Sequence, residues 1–143
     1  MAVELTAVAL QTVLAGQNVL FTDTAVPCNR GYVVHRDGAG IITLRGITSN
    51  NFARYRVTFY GNIGLPTGGT AAPISVAMSI NGEAVPATTA TITVPAGSLG
   101  NVATGFIVDV PKGCCYTIAV KNVTDPAGPI EVANANILIE RIA

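Results

Sequence analysis

The sequence predicts an all-β protein, because apolar and polar residues alternate with period two through most of the chain. No window of about 11 residues or more has the helical period of about 3.6. Turn-forming residues divide the chain into short segments at regular spacing, which is typical of a β-sandwich or barrel. A chain of 143 residues without a linker or an internal repeat is long enough for one domain with its own core.

The alternation and the turns together predict about ten strands. Asn81-Gly82 is the clearest hairpin signal, since both residues accept the positive φ angles of a type I′ turn. Other breaks lie at Asp37-Gly38, at Pro111-Lys112-Gly113 and in the glycine-rich stretch 64–69. We expect strands at 3–9, 18–22, 31–36, 41–47, 52–60, 73–80, 83–94, 102–110, 114–123 and 131–142.

Alternation within the strands also assigns core positions. In the segment 52–60, Tyr55, Val57 and Phe59 share one face, and polar or charged residues separate them. The same reasoning predicts core positions on four other strands, at Ile74, Val76, Met78, Ile80, Val102, Phe106, Val108, Val110, Cys114, Tyr116, Ile118, Val120, Ala135, Ile137 and Ile139.

The chain is poor in charge. Half of its residues are hydrophobic and only 11% are charged, against a typical value of about 25%. Between Val57 and Val108 the only side chain with a formal charge is that of Glu83. Surfaces that stay monomeric carry about 25–35% charged residues, so we expect the protein to bury part of its neutral surface by oligomerisation.

Composition also excludes several partners. Every apolar run is interrupted well short of the about 18 residues of a membrane span, and the first ten residues lack a signal-peptide pattern, so we expect no membrane association and synthesis in a cytoplasm. The net charge of zero argues against nucleic acid. Cys28, Cys114 and Cys115 lack the spacing of a zinc site. A disulfide from Cys28 to Cys114 or Cys115 is one alternative for these residues, and buried free thiols are the favoured one.

The sequence offers little for catalysis. His35 is the only histidine, so only one imidazole base is available, and we expect it to be structural. The acids are scattered singly, and Asp125 is the one loop acid worth testing as a calcium ligand. Asn122-Val123-Thr124 matches a glycosylation acceptor but fits ordinary strand sequence. We expect no enzyme activity and no cofactor.

Two strands have a second face suited to contact with another subunit. The segment 131–142 carries apolar side chains on both faces, and the segment 73–80 sets small uncharged residues opposite its core face. The residues that we predict at a subunit interface are Ser75, Ala77, Ser79, Asn136, Leu138, Glu140 and Ile142.

The segments NVLFTD (18–23), ARYRVTFYGNI (53–63), SINGEAVPATTA (79–90) and ANILIERIA (135–143) carry a family resemblance. Over residues 17–143 the chain resembles the trimeric jelly rolls of the C1q and tumour-necrosis-factor (TNF) superfamily, especially the C-terminal domains of bacterial spore-surface collagen-like proteins and phage members. The resemblance implies a ten-strand jelly-roll β-sandwich whose first and last strands are neighbours. It also implies a homotrimer with an apolar threefold axis.

No collagen-like Gly-X-Y stalk precedes this region, and the chain is similar to small phage proteins that decorate a capsid or form a head fibre. The resemblance therefore implies a non-enzymatic structural protein on a virion surface, made in the host cytoplasm, with a capsid or fibre protein as its partner. A bacterial spore or cell surface is the alternative location. The alternative function is an adhesin or lectin-like head that binds a glycan or host surface through the loops 64–72 and 95–101. Residues 1–16 are expected to be an attachment arm or an extra strand.

Overall fold

Two antiparallel β-sheets form the fold in the computed structural model, which describes residues 1–28 and 30–143. Within these residues the only helical segment is a 3-10 turn at Pro86–Thr88, so no described helix is long enough to cross a bilayer. The strands are β1 (Ala2–Ala7), β2 (Gln11–Val13), β3 (Asp23–Val26), β4 (Val33–His35), β5 (Ile42–Arg45), β6 (Phe52–Gly64), β7 (Pro73–Ile80), β8 (Glu83–Ala84), β9 (Ala90–Thr93), β10 (Leu99–Pro111), β11 (Cys115–Asn122) and β12 (Ile130–Arg141).

The strands alternate between the sheets along much of the chain. The first sheet has the order β10-β6-β12-β1-β3, and β2 also pairs with β12. The second sheet has the order β4-β5-β11-β7-β8, and β9 also pairs with β7. The chain therefore crosses between the sheets six times, after β3, β5, β6, β9, β10 and β11, which closes one core between the two layers.

The core forms where the inward faces of the two sheets meet. Tyr55, Val57 and Phe59 are fully buried, which confirms the prediction for the segment 52–60. Phe21 packs edge to face on Phe59, with ring centroids 6.4 Å apart. The other predicted core positions are buried or pack against the core, with one exception. Cys114 is exposed, because its N–H bonds to the carbonyl of Pro111 in the turn before β11.

A buried hydroxyl connects the first sheet to the end of β5. The Tyr55 side chain lies in the core, and its hydroxyl donates to the carbonyl oxygen of Arg45 at 2.6 Å. A second carbonyl oxygen, that of Tyr32, lies 3.3 Å away. Burial raises the pKa of Tyr55. The hydroxyl thus stays protonated, and its bond to the carbonyl of Arg45 gives the buried phenol a hydrogen-bond partner.

Two predicted strands differ in the structure. Residues 18–22 form only an isolated bridge, although Val19 and Phe21 are buried, and regular pairing begins one residue later in β3. Their amides bond instead to the carbonyls of Val120 and Ala39. The predicted strand 83–94 divides into β8 and β9, because Pro86 cannot donate to a ladder and begins the 3-10 turn between them.

Residues 1–16 contain two strands of the first sheet. β1 pairs with β12 from Ala2 opposite Glu140 to Ala7 opposite Ala135. β2 pairs with the other end of β12, at residues 130–132. Residues 1–16, for which the sequence allowed either an attachment arm or an extra strand, therefore lie beside the central strand of this sheet.

The predicted hairpin at Asn81-Gly82 is confirmed. Asn81 has a φ angle of 51° and Gly82 one of 89°, and Ile80 pairs with Glu83 across the turn. Both angles lie in the left-handed region that a type I′ turn requires. A side chain at position 82 would have open space around it but the wrong backbone conformation.

We predict that Gly82→Ala lowers the free energy of unfolding by about 1–2 kcal/mol, because alanine is strained in the left-handed region. Gly128→Ala is the matched control, since it also adds a methyl group in open space but at a residue without a positive φ angle. Urea denaturation at one fixed protein concentration measures both. Equal effects of the two substitutions would contradict the assigned strain.

Candidate functional site

One face of the first sheet points away from the core and is not covered by any other part of the described chain. We call it the open face. It consists of Ala2, Glu4 and Thr6 on β1; Phe52, Arg54, Arg56, Thr58, Tyr60 and Asn62 on β6; Asn101, Ala103, Gly105, Ile107 and Asp109 on β10; and Asn136, Leu138, Glu140 and Ile142 on or directly after β12.

The middle of the open face is uncharged across three adjacent strands. Tyr60 on β6 lies between Ala103 on β10 and Asn136 on β12. In the next row, Thr58 lies opposite Leu138. These residues are small, apolar or neutral. Charge enters the two rows only on the neighbouring strands, at Glu4 opposite Leu138 and at Asp23 opposite Thr6.

Large apolar side chains project from this face. Tyr60 exposes 41% of its surface and Ile107 exposes 57%. Leu138 is half-buried on β12, the central strand, opposite Thr58. Single exposed apolar residues are common, but a group that shares one sheet face with a neutral centre marks an interaction surface.

An ion pair lies at one edge of the open face. Arg54 donates two hydrogen bonds to the carboxylate of Asp109 on the neighbouring strand, at 2.7 and 3.0 Å. Arg54 also stacks on the ring of Phe52, 4.9 Å from its centroid. The hydrogen bonds from Arg54 hold the pKa of Asp109 below its ordinary value, and the carboxylate in turn raises the pKa of Arg54.

A second pair of opposite charges on this face is not joined. Arg56 on β6 lies directly opposite Glu140 on β12. In the described part of the chain there are two ion pairs, and neither includes Arg56 or Glu140. Both side chains are exposed and can therefore pair with a contacting surface.

Amide side chains border the neutral centre. Asn101 donates to Asn62 at 3.3 Å, and Asn62 donates to Asn134 at 3.2 Å, across three strands. Asn134 has a φ angle of 51° at the irregularity of β12. The side-chain amide nitrogen of Asn136 donates to the carboxylate of Glu4. The side-chain amide oxygen of Asn136 is buried and has no hydrogen-bond partner among the described residues.

The predicted interface residues fall on both sheets. Asn136, Leu138, Glu140 and Ile142 all lie on the open face. The other three predicted residues lie on β7 in the second sheet, at Ser75, Ala77 and Ser79. That all seven contact another subunit stays a prediction.

On β7, the single subunit already covers two of the three predicted residues. Ala77 is fully buried, and Ser79 is 2% exposed. Lys121 lies opposite Ala77, and its ammonium group donates to the carbonyl of Gly82 at 3.1 Å, beyond Ser79. Its aliphatic stem therefore crosses this strip, so only Ser75 keeps appreciable surface for a partner.

His35 lies in the core side of the second sheet. Its side chain is 3% exposed and packs edge to face on Phe21, with centroids 6.5 Å apart. Its Nε2 lies 2.8 Å from the carbonyl oxygen of Ala39, and its Nδ1 lies 3.9 Å from the carboxylate of Asp37. The ring thus stabilises the turn after β4, a structural position that leaves it inaccessible to a substrate.

The cysteines are free thiols in the structure. The expectation of burial is wrong for Cys114 and Cys115, which are exposed, and Cys28 is half-buried. Burial acts to raise the pKa of Cys28, but hydrogen bonds from the backbone of residues 30–33 outweigh it and lower the pKa. Within residues 1–28 and 30–143, no three His, Cys, Asp or Glu side chains come together as a metal site.

The glycosylation motif is folded into the structure. Asn122 is 2% exposed. Its amide nitrogen donates to the carbonyls of Val13 at 3.0 Å and Gly128 at 2.9 Å, and its amide oxygen accepts from the N–H of Thr124 at 3.1 Å. Both amide donors and the amide oxygen are thereby used to join three segments of backbone.

The loops at one end of the sandwich form a small apolar pocket. The N–H of Gly97 bonds to the carbonyl of Leu65 at 3.1 Å, which brings two of these loops together. The pocket has a volume of about 210 Å³. Its walls include Leu65, Pro66, Pro73, Ile74, Pro126 and Pro129.

No protein-family model matches the chain, and a search of curated proteins finds no significant match. Among solved structures, the globular domain of zebrafish complement 1qA protein aligns with a TM-score of 0.64 at 11% identity, over 99% of this chain and 97% of that domain. The crystal structure of murine APRIL at pH 5.0 aligns with a TM-score of 0.64 at 10% identity, over 99% of this chain and 98% of that one. The fold is a C1q/TNF-like jelly roll.

The predicted fold class is therefore confirmed, with twelve strands in the described residues instead of about ten. The first and last strands of the jelly roll are neighbours, as the resemblance implies. The solved structures named here come from vertebrates, so the narrower likeness to spore-surface and phage proteins stays a prediction.

We predict that Arg54→Gln raises the pKa of Asp109 toward the ordinary aspartate value of about 3.9. A carboxylate with a depressed pKa stabilises the folded state above the unfolded pKa, and this contribution is lost as the pH falls through the folded pKa. Carbon-13 NMR titration of the Asp109 carboxyl measures the shift. Arg56→Gln, which removes a charge from the same strand, serves as the control and should leave the titration unchanged.

Proposed function

We propose that this jelly roll is a non-enzymatic structural protein that assembles as a homotrimer through its open face. The single observation that carries the proposal is the neutral, partly apolar middle of that face, which no described part of the chain covers. A β-sheet in water normally places charged or polar residues on its solvent side. Here the two rows around Tyr60 and Thr58 are neutral on β10, β6 and β12, and a second copy of the chain can cover them.

Burial of the projecting side chains supplies a driving force. Full burial of an exposed Leu or Ile side chain contributes about 1.5–3 kcal/mol, and Leu138 and Ile107 gain only part of this because the subunit already covers part of each. The unpaired charges of Arg56 and Glu140 then lie beside the apolar centre, where complementary pairing between copies fixes the register of the contact.

The threefold state follows from the resemblance to trimeric jelly rolls of the C1q and TNF superfamily. The similarity of the whole chain to solved domains with this fold supports that resemblance. The buried position of His35, the only histidine, supports a non-enzymatic role, since it leaves no imidazole free for proton transfer.

The proposed place of the trimer is a virion surface, as a capsid decoration or head-fibre component made in the host cytoplasm. This finer assignment is supported by the low charge of the chain and by its resemblance to small phage structural proteins. The partner is then a capsid or fibre protein. A spore or cell surface is the alternative location for the same assembly.

The second candidate function is a recognition head that binds a glycan or host surface through the loops 64–72 and 95–101. The apolar pocket beside the first of these loops favours it, because it offers a cavity of about 210 Å³ at that end. Neither loop contains Phe, Tyr or Trp, the residues on which sugar rings commonly stack, so we place this function second.

We predict that the purified chain has a mass of about three times 14.6 kDa in light scattering and that Leu138→Lys shifts it to monomer, because the substitution places a charge in the neutral centre. Val34→Lys is the matched control, since Val34 is exposed on the second sheet and should tolerate the charge.

Ser75→Lys tests which of the two predicted contact surfaces forms the trimer, the one on β7 or the open face. A trimer that depends on β7 would lose its assembly with Ser75→Lys and keep it with Leu138→Lys, which would overturn the assignment to the open face. A monodisperse wild-type monomer at micromolar concentration would overturn the trimer itself.

We predict that an antibody against the recombinant chain labels purified virions in immunogold electron microscopy. Labelling of spores or cells without virions would contradict the virion assignment and leave the trimer intact. Clear sugar specificity on a glycan array, abolished by substitutions in 64–72, would favour the recognition head over decoration.

A further inference from the structure

The end of the sandwich opposite the apolar pocket contains a cleft with two arginines and, among the residues that the structure describes, no acid in its lining. We call it the arginine cleft. It has a volume of about 550 Å³. Its walls include Met1, Val26, Pro27, Arg30, Tyr32 and Arg141.

Arg141, the last residue of β12, is held rigidly in this cleft. Its guanidinium carbon lies 4.4 Å from the centroid of the Tyr32 ring, and its Nε donates at 3.3 Å to an oxygen of Ala143, the last residue of the sequence. The neighbouring Glu140 points to the open face, because side chains alternate along a strand. The guanidinium is therefore oriented by stacking and one hydrogen bond, and the adjacent carboxylate does not neutralise it.

One donor of this guanidinium has no acceptor. Nη1 of Arg141 is buried and makes no hydrogen bond to any described residue. A buried charged donor without a partner is costly, so such groups in native proteins are normally satisfied by an acceptor from protein, water or ligand. The hydrogen bonds of this guanidinium, which belongs to a residue that lines the cleft, are therefore incomplete.

Positive charge accumulates around that position. Arg30 is exposed at the cleft, and Arg45 lies nearby, since its Nη1 donates to the carbonyl of Gly31 at 3.3 Å. Neither of the two ion pairs in the described residues includes Arg30, Arg45 or Arg141. The cleft thus presents cationic donors that pair with no side-chain carboxylate among the described residues.

The remaining walls are apolar. Val26, Pro27 and Met1 line the same cleft as the arginines. A free inorganic anion would satisfy the arginines and leave these walls bare, whereas a carboxylate attached to an apolar group would contact both. Guanidinium groups also match the planar carboxylate with two parallel hydrogen bonds.

We propose that the arginine cleft binds a carboxylate carried on a small apolar body. The carboxylate accepts from the guanidinium groups of Arg141 and Arg30, and the apolar body packs on Val26 and Pro27. This site lies at the end of the sandwich and not in the middle of the open face, so it does not depend on the proposed trimer.

Benzoate is the probe, in an NMR titration of nitrogen-15-labelled wild-type protein at low ionic strength. We expect saturable shifts of the backbone amides around Tyr32 and Arg141. Benzamide, which has the same ring without the charge, should produce no saturation. Arg30→Gln should weaken benzoate binding roughly tenfold, as loss of one charge-assisted hydrogen bond predicts. Arg141→Met, which keeps an unbranched apolar stem, should weaken it at least as much.

Arg36→Gln is the matched control, because Arg36 is exposed and does not line the cleft. Its benzoate affinity should equal that of the wild type. Should Arg141→Met fail to fold, Arg30→Gln still tests the proposal, since Arg30 is exposed. No saturation with benzoate below roughly 50 mM, or equal binding of benzamide, would overturn the proposal. Inorganic phosphate that binds as tightly as benzoate at the same amides would overturn the choice of a carboxylate on an apolar body.

Discussion

The pairing of β6 with β12 is the interaction on which the rest of the structure depends. In this ladder Phe59 lies opposite Ile137 in the core, and one residue further Tyr60 lies opposite Asn136 on the open face. Because side chains alternate along a strand, a single register fixes both faces at once. The core and the candidate interface are therefore two consequences of the same set of backbone hydrogen bonds.

The neutral strips on the two sheets are covered in different ways. On the second sheet the neutral strip of Ala77 and Ser79 is covered within the subunit, since Lys121 extends across it. On the first sheet no side chain of the described residues extends across Tyr60 and Leu138 in this way. Both strips have the same appearance in the sequence, namely small or apolar residues between core positions. Only the position of a lysine from another strand distinguishes them, and strand order decides that position.

The long strands could be predicted from the sequence because their alternation is unbroken and their turns have specific residues, as at Asn81-Gly82. The segment 18–22 misled the prediction, because burial of Val19 and Phe21 produces the same alternation without a ladder. Four of the seven predicted interface residues lie on the open face, because alternation along β12 assigned their side correctly. The partners of Asn122 and of Arg141 could not be predicted, since the contacts of Asn122 with Val13 and of Arg141 with Tyr32 join residues that are distant in sequence.

The place of β12 between β6 and β1 has a consequence for how the chain folds as it is made. The central strand of the first sheet is the last of the twelve to leave the ribosome, while the strands on both of its sides are made much earlier. Until it emerges, the facing edges of β1 and β6 have unpaired backbone groups and are open to pairing with other nascent chains. Topologies dominated by such distant contacts fold slowly, so this jelly roll is most vulnerable to aggregation during synthesis.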